Sequence, residues 1–196
     1  MAGPEMITLA FSVIDQLTLA KVAYPHMVNL RDQIDEVVAL GVISGDHVVF
    51  VEILETQQLL NVNTNRGVSI PLHSTATGKA ILAYLPDFAI EPYLEKINFQ
   101  KITPNTITTM KSLKALLPKI RKQGFAMAID ESANGLGAVS APVRGNDGEV
   151  IAALTIMVPT VRVNRQKLLN VYSKKVIYTA DLISMGLGYR GMAVTD

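Results

Sequence analysis

The feature that most constrains this chain is a strict alternation of large and small side chains in its last third. Three stretches, Phe125 to Asp130, Ala138 to Val143 and Glu149 to Val158, read as strands, the second and third joined by the hairpin loop Arg144-Gly-Asn-Asp-Gly148. Side chains alternate across a sheet, so Phe125, Met127 and Ile129 share one face while Ala126, Ala128 and Asp130 share the other. The next strand sets Val139 and Val143 against Ala138 and Ser140, and the third sets Leu154, Ile156 and Val158 against Ala153, Thr155 and Met157. One face is bulky and the other nearly bare. A bare face is either a shallow concavity or the seat of a closely packed helix.

The remaining elements are read from periodicity. Met6 to Val22 is helical in pattern and apolar on more than one side, which calls for a second subunit or a neighbouring domain. Pro25 suits the first turn of a second helix running to about Asp35. Val37 to Ile43 and Val48 to Leu54 flank Ser44-Gly-Asp-His47, a hairpin signature, and Leu59 to Asn63 reads as a third strand before a loop. Phe88 to Lys96 and Leu113 to Gln123 follow as helices, the latter stopped by Gly124. Asn164 to Met185 closes the chain as a long helix, and the tail from residue 187 to 196 is Gly-rich and expected to be loose.

The segment Pro71-Leu-His-Ser-Thr-Ala-Thr-Gly-Lys-Ala-Ile-Leu-Ala-Tyr-Leu-Pro86 carries the strongest chemical signal. With Thr75 or Ser74 as cap, the N–H groups of Ala76, Thr77 and Gly78 lack intrahelical acceptors and face the positive end of the helix dipole. The first turn holds no Asp or Glu, and Lys79 adds positive charge where the dipole disfavours it. An arriving anion relieves both conditions.

Composition sets the outer bounds. At 196 residues the chain is the size of one domain with an accessory element. A hydrophobic fraction of 49% and a mean hydropathy of +0.29 supply a well-buried core and leave apolar surface for a partner. The apolar runs fall short of the ~20 residues that a membrane span needs, and no signal peptide is visible. There is no cysteine, in keeping with a reducing, cytoplasmic setting. A net charge of +1, from 18 basic and 17 acidic residues, argues against nucleic-acid binding by these residues themselves.

Catalytic and metal constellations are weak. His73 and Ser74 are adjacent and point apart in extended chain, Gly78-Lys79 lacks the rest of a phosphate-binding loop, and Asp130-Glu131 reads as an acidic turn. His26, His47 and His73 have no ligand spacing, so no metal or cofactor is expected.

Taken together, Pro71-x-His-x-x-x-x-Gly-Lys-Ala-x-Leu-Ala83, Arg121-x-x-Gly-Phe with Glu131-x-x-x-Gly135, and Ala141-Pro-Val143 with Arg162 beyond Pro159 resemble the effector-binding domain of IclR-type transcriptional regulators. The likeness runs from Met6 to Ile183. It implies an α/β (α+β) fold of GAF-like type, an antiparallel sheet flanked by helices. In that reading residues 1–22 are a linker and oligomerisation helix, residues 23–186 the effector-binding domain and residues 187–196 a flexible tail. It further implies a homodimer or homotetramer that binds a small carboxylate effector and reaches DNA only through a winged helix-turn-helix, which this chain is expected to lack.

Carried over residue by residue, the resemblance puts the backbone amides of Ala76 and Thr77, with Gly78, at the effector carboxylate, and Leu59 and Val62 at apolar walls. Ala128, Ala138, Thr155 and Met157 take the family's polar end, and all four lie on the bare sheet face derived above. Ala128 stands where the family often has an acidic residue and Met157 where serine is frequent, so an aromatic or longer-chain acid is expected in preference to a two- or three-carbon keto acid. The competing readings are an enzyme acting on a small organic acid through Asp130, Glu131 or His73, and an oligomerisation module without a ligand.

Overall fold

In the computed structural model, which describes the backbone of residues 4–58 and 66–191 and the side chains of residues 18–58 and 66–191, the alternating strands become the centre of a three-layer arrangement. The chain runs α1 (Pro4–Ile34), β1 (Val37–Ser44), β2 (His47–Leu54), β3 (Ser69–Pro71), a 3-10 turn (Leu72–Ser74), α2 (Ala76–Leu82), α3 (Asp87–Leu94) and α4 (Met110–Gln123). It continues with β4 (Ala126–Ile129), β5 (Leu136–Arg144), β6 (Val150–Pro159), α5 (Arg165–Lys167), a π turn (Leu168–Tyr172) and α6 (Ser173–Gly186). The six strands form one sheet in the order β3-β2-β1-β6-β5-β4, and every neighbouring pair is antiparallel.

The predicted hairpins form where the turn chemistry allows. Gly45 takes φ 59° between β1 and β2, and Gly124 takes φ 81° to end α4, its amide bonded to Ile120 O. Both are backbone positions that a side chain would strain. β3 was not anticipated: Ser69 to Pro71 pairs with His47 to Val49 at the sheet edge, where Pro71 needs no ladder donor on its outer side. The strand expected over Leu59 to Asn63 lies outside the described residues.

Two expectations need correction. The helices predicted on either side of Pro25 are one continuous helix, α1. Proline inside a helix costs about 3 kcal/mol. Leu19, Ala23, Met27 and Leu30 keep a single buried stripe across Pro25, and burying each of the larger three contributes about 1.5–3 kcal/mol, so packing outweighs the proline. The predicted C-terminal helix is interrupted by the π turn, which leaves Val171 exposed and buries Leu168, Tyr172, Val176, Thr179 and Ile183.

The two faces of the sheet build two cores. On the bulky side Val139, Val143, Leu154, Ile156 and Val158 pack with α1 and α6 residues such as Met27, Leu30, Val176 and Ile183. On the bare side Ala126, Ala128, Ala138, Ala153 and Met157 receive α2, α3 and α4 through Ala76, Ala80, Ile90 and Leu117. The helix-packing alternative for the bare face is therefore the one the fold adopts over this region: α2 lies directly on the alanines.

Polar links tie the layers at their ends. Glu36, buried just beyond α1, takes two bonds from Arg162, one of 2.9 Å from Nε to Oε1 and one of 2.5 Å from Nη2 to Oε2. Asp35 closes α1 with φ 48° and accepts from Thr56 Oγ1 and Gln58 Nε2 at 2.7 and 2.6 Å. After α6, the Tyr189 amide bonds Ser184 O, and the Tyr189 ring lies 5.7 Å from the Arg144 guanidinium.

Loss of one partner of the Glu36–Arg162 pair leaves a buried charge uncompensated. Arg162→Ala should destabilise by about 2–3 kcal/mol in urea unfolding, below the full range for a buried pair because the Arg162 side chain is one quarter exposed. Adding Glu36→Gln to that variant should recover part of the loss.

Candidate functional site

The amino end of α2 is built as its sequence dictates. Thr75 is extended (φ −107°, ψ 148°) and its Oγ1 accepts from the Gly78 amide at 2.9 Å, while Lys79 N donates to Thr75 O. The amides of Ala76 and Thr77 donate to no acceptor among the described residues, although both residues are about 99% buried. Buried amides without partners are uncommon. Gly78 is required by space: a Cβ there would stand 2.3 Å from Leu72 O and 2.8 Å from Leu72 Cγ.

Beneath this end, the bare face presents two rows. Val37, Met157, Ala138 and Ala128 are successive partners across β1, β6, β5 and β4, and Ala39, Thr155, Ser140 and Ala126 form the adjacent row. The sequence-predicted residues Ala128, Ala138 and Met157 thus stand side by side, with Thr155 in the next row. Leu59 and Val62 fall outside the described residues.

A chain of hydroxyls joins α2 to the second row. Thr77 Oγ1 and Thr155 Oγ1 are 2.8 Å apart, as are Thr155 Oγ1 and Ser140 Oγ, and Ser140 Oγ lies 2.9 Å from Leu154 O. A carbonyl only accepts, so Ser140 donates to Leu154, Thr155 to Ser140 and Thr77 to Thr155. Lone pairs of the Thr77 oxygen are left to accept. Thr155 therefore serves first to dock the helix, a role its hydroxyl alone did not disclose. The contact is close enough that a Cβ at Gly41 would come within 2.8 Å of Thr77 Cγ2.

Lys79 corrects the sequence reading. Its charge does not wait for an incoming anion, because its Nζ donates to Glu131 Oε1 at 2.6 Å with the lysine side chain 2% exposed. Burial draws the Lys79 ammonium below its usual value, opposed by Glu131, and burial pushes the Glu131 carboxyl up, opposed by Lys79. The Ile129 amide also faces the Glu131 carboxylate and favours its charged form, while Oε2 is buried. Thr103 and Thr106 hold the backbone at this corner, donating to Asp130 O at 2.5 Å and to Glu131 O at 2.7 Å. Asp130 (φ 55°) forms the turn and accepts from the Gly135 amide, so the two adjacent acids have separate tasks. Periodicity showed where Ser140 points, but nothing in the local pattern tied Glu131 to Lys79, 52 residues earlier.

His73 and Ser74 do not pair. His73 Nε2 lies 3.0 Å from Gln100 O and donates to it, which leaves Nδ1 as a buried acceptor without a partner, and Ser74 Oγ donates to Pro71 O. Burial lowers the His73 pKa. Among the described residues no group of three His, Cys, Asp or Glu could hold a metal ion, and no helix is long and apolar enough to cross a membrane.

A short capped helix laid on the alanine-lined face of an antiparallel sheet, with helices on the other face, makes this a mixed α/β domain of the helix-flanked sheet type. The family described as bacterial transcriptional regulator IclR C-terminal matches residues 11–185, and the chain belongs to it. The Pca regulon regulatory protein of Pseudomonas putida is 27% identical over 166 residues, which cover 84% of this chain and 57% of that protein. The chain thus spans little more than half of that relative's length. Among solved structures, the C-terminal domain of the Escherichia coli transcriptional regulator KdgR superimposes with a TM-score of 0.79 at 30% identity, covering 88% of this chain and 99% of that one. A double mutant of the PobR inducer-binding domain from Acinetobacter, solved as a complex with 3-hydroxybenzoic acid, gives 0.77 at 28% identity over 84% of this chain and 96% of that one. The antiparallel six-stranded sheet with flanking helices is the fold of these domains, and these relatives are transcriptional regulators.

Two outcomes test the local physics. Gly78→Ala should destabilise by about 1–3 kcal/mol in urea unfolding despite alanine's higher helix propensity, because the Leu72 carbonyl occupies the space of the new methyl. Lys79→Met leaves burial on Glu131 opposed only by the Ile129 amide, so the folded state holds a proton that the unfolded state releases. Stability should be retained below the usual glutamate value and lost as pH rises through the raised folded value, reaching about 3–5 kcal/mol at pH 8. Urea melts of this variant at pH 4.5 and pH 8 read the difference.

Proposed function

We propose that this chain is the effector-sensing part of a cytoplasmic transcriptional regulator, that it binds a small carboxylate at the amino end of α2, and that it acts on DNA through a winged-helix domain in a homodimer or homotetramer. The observation that carries the reading is the pair of buried amides on Ala76 and Thr77 with no acceptor among the described residues. A carboxylate supplies acceptors for both, at the end of the helix where the dipole favours negative charge. Family membership supports it, and so does the 3-hydroxybenzoic acid held by the related PobR domain.

The expected body of the effector follows from the floor. In this reading Ala128, Ala138 and Met157, which are themselves buried, form the apolar wall that the effector body meets, and the Thr155 hydroxyl already donates to Ser140. Leu59 and Val62 complete the apolar wall in this reading. A ring or longer chain gains more from such a surface than a two- or three-carbon keto acid. Residues 1–22 serve as the linker helix, residues 23–186 as the sensing domain and residues 187–196 as a tail. The effector shifts the balance between subunit arrangements by its difference in affinity for them.

Calorimetric titration with hydroxybenzoates and with glyoxylate and pyruvate tests the proposal. Aromatic acids should bind and the short keto acids should not; the reverse result overturns the apolar-body reading. Thr77→Pro removes one donor amide and should weaken binding about ten- to hundred-fold, the worth of a hydrogen bond to a charged group, whereas Thr77→Val keeps that amide and controls for the lost hydroxyl contact. Unchanged affinity in Thr77→Pro places the carboxylate elsewhere.

A further inference from the structure

Away from the amino end of α2, a cleft of about 700 Å³ runs along the outer edge of β4. Among the described residues β4 is the last strand of the sheet and pairs with β5 alone. The Asp130 amide donates to Leu136 O, and stepping back by two makes Ala128 and Ala126 the residues that exchange bonds with β5. Met127 and Ile129 therefore turn their N–H and C=O groups outward, toward the cleft that both residues line; the Ile129 amide is taken up by the Glu131 carboxylate, which leaves Met127 as the open position. α4 walls one side with Leu116 and Lys119, and the α5 to π-turn segment walls the other with Arg165 and Leu169.

Two properties of this cleft lack counterparts among the described residues. Lys119 and Arg165 make no ion pair or side-chain hydrogen bond among the described residues. Leu116 and Leu169 remain 36% and 41% exposed beside them. Glu131, also in the cleft wall, is already held by Lys79 and faced by the Ile129 amide. An open strand edge is a template for another strand.

We propose that the β4 edge is a docking site for an extended peptide segment of mixed acidic and apolar residues, which adds to the sheet as a seventh strand. Its backbone meets the outward N–H and C=O of Met127, its acidic side chains meet Lys119 and Arg165, and its apolar ones cover Leu116 and Leu169. A second copy of this chain fits less well. It would bring another Lys119 and Arg165 to an edge already flanked by two cations.

The probe is a fluorescein-labelled heptapeptide, acetylated and amidated, with Glu first, fourth and seventh and Val between, so that acids project to both walls. Fluorescence polarisation with the full chain should show saturable binding, weakened roughly ten-fold or more when Lys replaces Glu in the peptide, and likewise by the double substitution Lys119→Glu with Arg165→Glu. Met127→Pro, which removes only an outward donor, should weaken binding similarly while thermal unfolding stays near wild type. Should that variant not fold, the charge-reversed one carries the test alone. No saturable binding, equal binding of the Lys peptide, or unchanged affinity in the charge-reversed protein overturns the proposal. Self-association in sedimentation that Met127→Pro abolishes, without peptide binding, assigns the edge to a second copy instead.

Discussion

The structure depends on one close contact, that of α2 with the alanine-lined face of the sheet. Ala76 and Ala80 meet Ala126, Ala128, Ala138 and Ala153, and the glycines at 41 and 78 keep the backbone clear where Thr77 and Leu72 press in. Small residues on both sides let a helix sit lower on a sheet than large ones permit, which increases dispersion contact per unit area and leaves little tolerance for added atoms. That depth puts the helix's polar groups at the level of the sheet. Thr77 can reach Thr155 directly, and Lys79 can reach around β4 to Glu131. A helix standing higher would make neither bond.

The fold was largely legible because its signals are local. Alternation in β4 to β6 separated the two cores, Gly45 and Gly124 marked a turn and a stop, and Thr75 announced the cap that α2 uses. The misreadings arose where tertiary packing overrode a local rule. Pro25 is a legitimate helix start by its own chemistry, and only the stripe from Leu19 to Leu30, buried on α6 and the sheet, makes it a mid-helix residue. The π turn is equally invisible to a fixed period, since it is the device that resets the period between Leu168 and Val176.

The site was legible in part and for a different reason. Ala128, Ala138, Thr155 and Met157 fall on one face because a strand has a period of two, and the register then aligns them in rows. The resemblance placed the amides of Ala76 and Thr77, and capping physics pointed to the same two groups. Lys79 shows the limit of that reasoning. In the sequence it is a cation at the wrong end of a helix, and its electrostatic conflict invites an external anion. Its partner stands at residue 131, brought near by β4 and by the threonines at 103 and 106, so the conflict is resolved inside the chain. The two amides of Ala76 and Thr77, without an acceptor among the described residues, are a separate matter, because Glu131 reaches the side chain of Lys79 and not the helix end.

This division of charge bears on what the α2 end can select. With Lys79 paired to Glu131, the force that would draw the proposed carboxylate to Ala76 and Thr77 comes from amide dipoles and not from a formal cation. Amides in fixed positions hold a planar carboxylate through geometry, and the attraction falls off within about a turn of the helix. The same helix is bound to the sheet through Thr77, so a group seated at its first turn presses on β6 and β5 through the hydroxyl chain to Leu154 O. Leu154 faces the other core, where α1 and α6 pack. The path from the α2 end to α1 therefore crosses the sheet once, at a strand whose two neighbours are β1 and β5. Around the margins, Asp35 ties the end of α1 to Thr56 and Gln58, and Arg144 stacks on Tyr84 from the α2 side while its amide bonds Ser184 of α6. The α2 side is thus joined to the sheet through the middle by hydroxyls and to α6 at one edge by Arg144, while Asp35 anchors the end of α1 to the segment after β2.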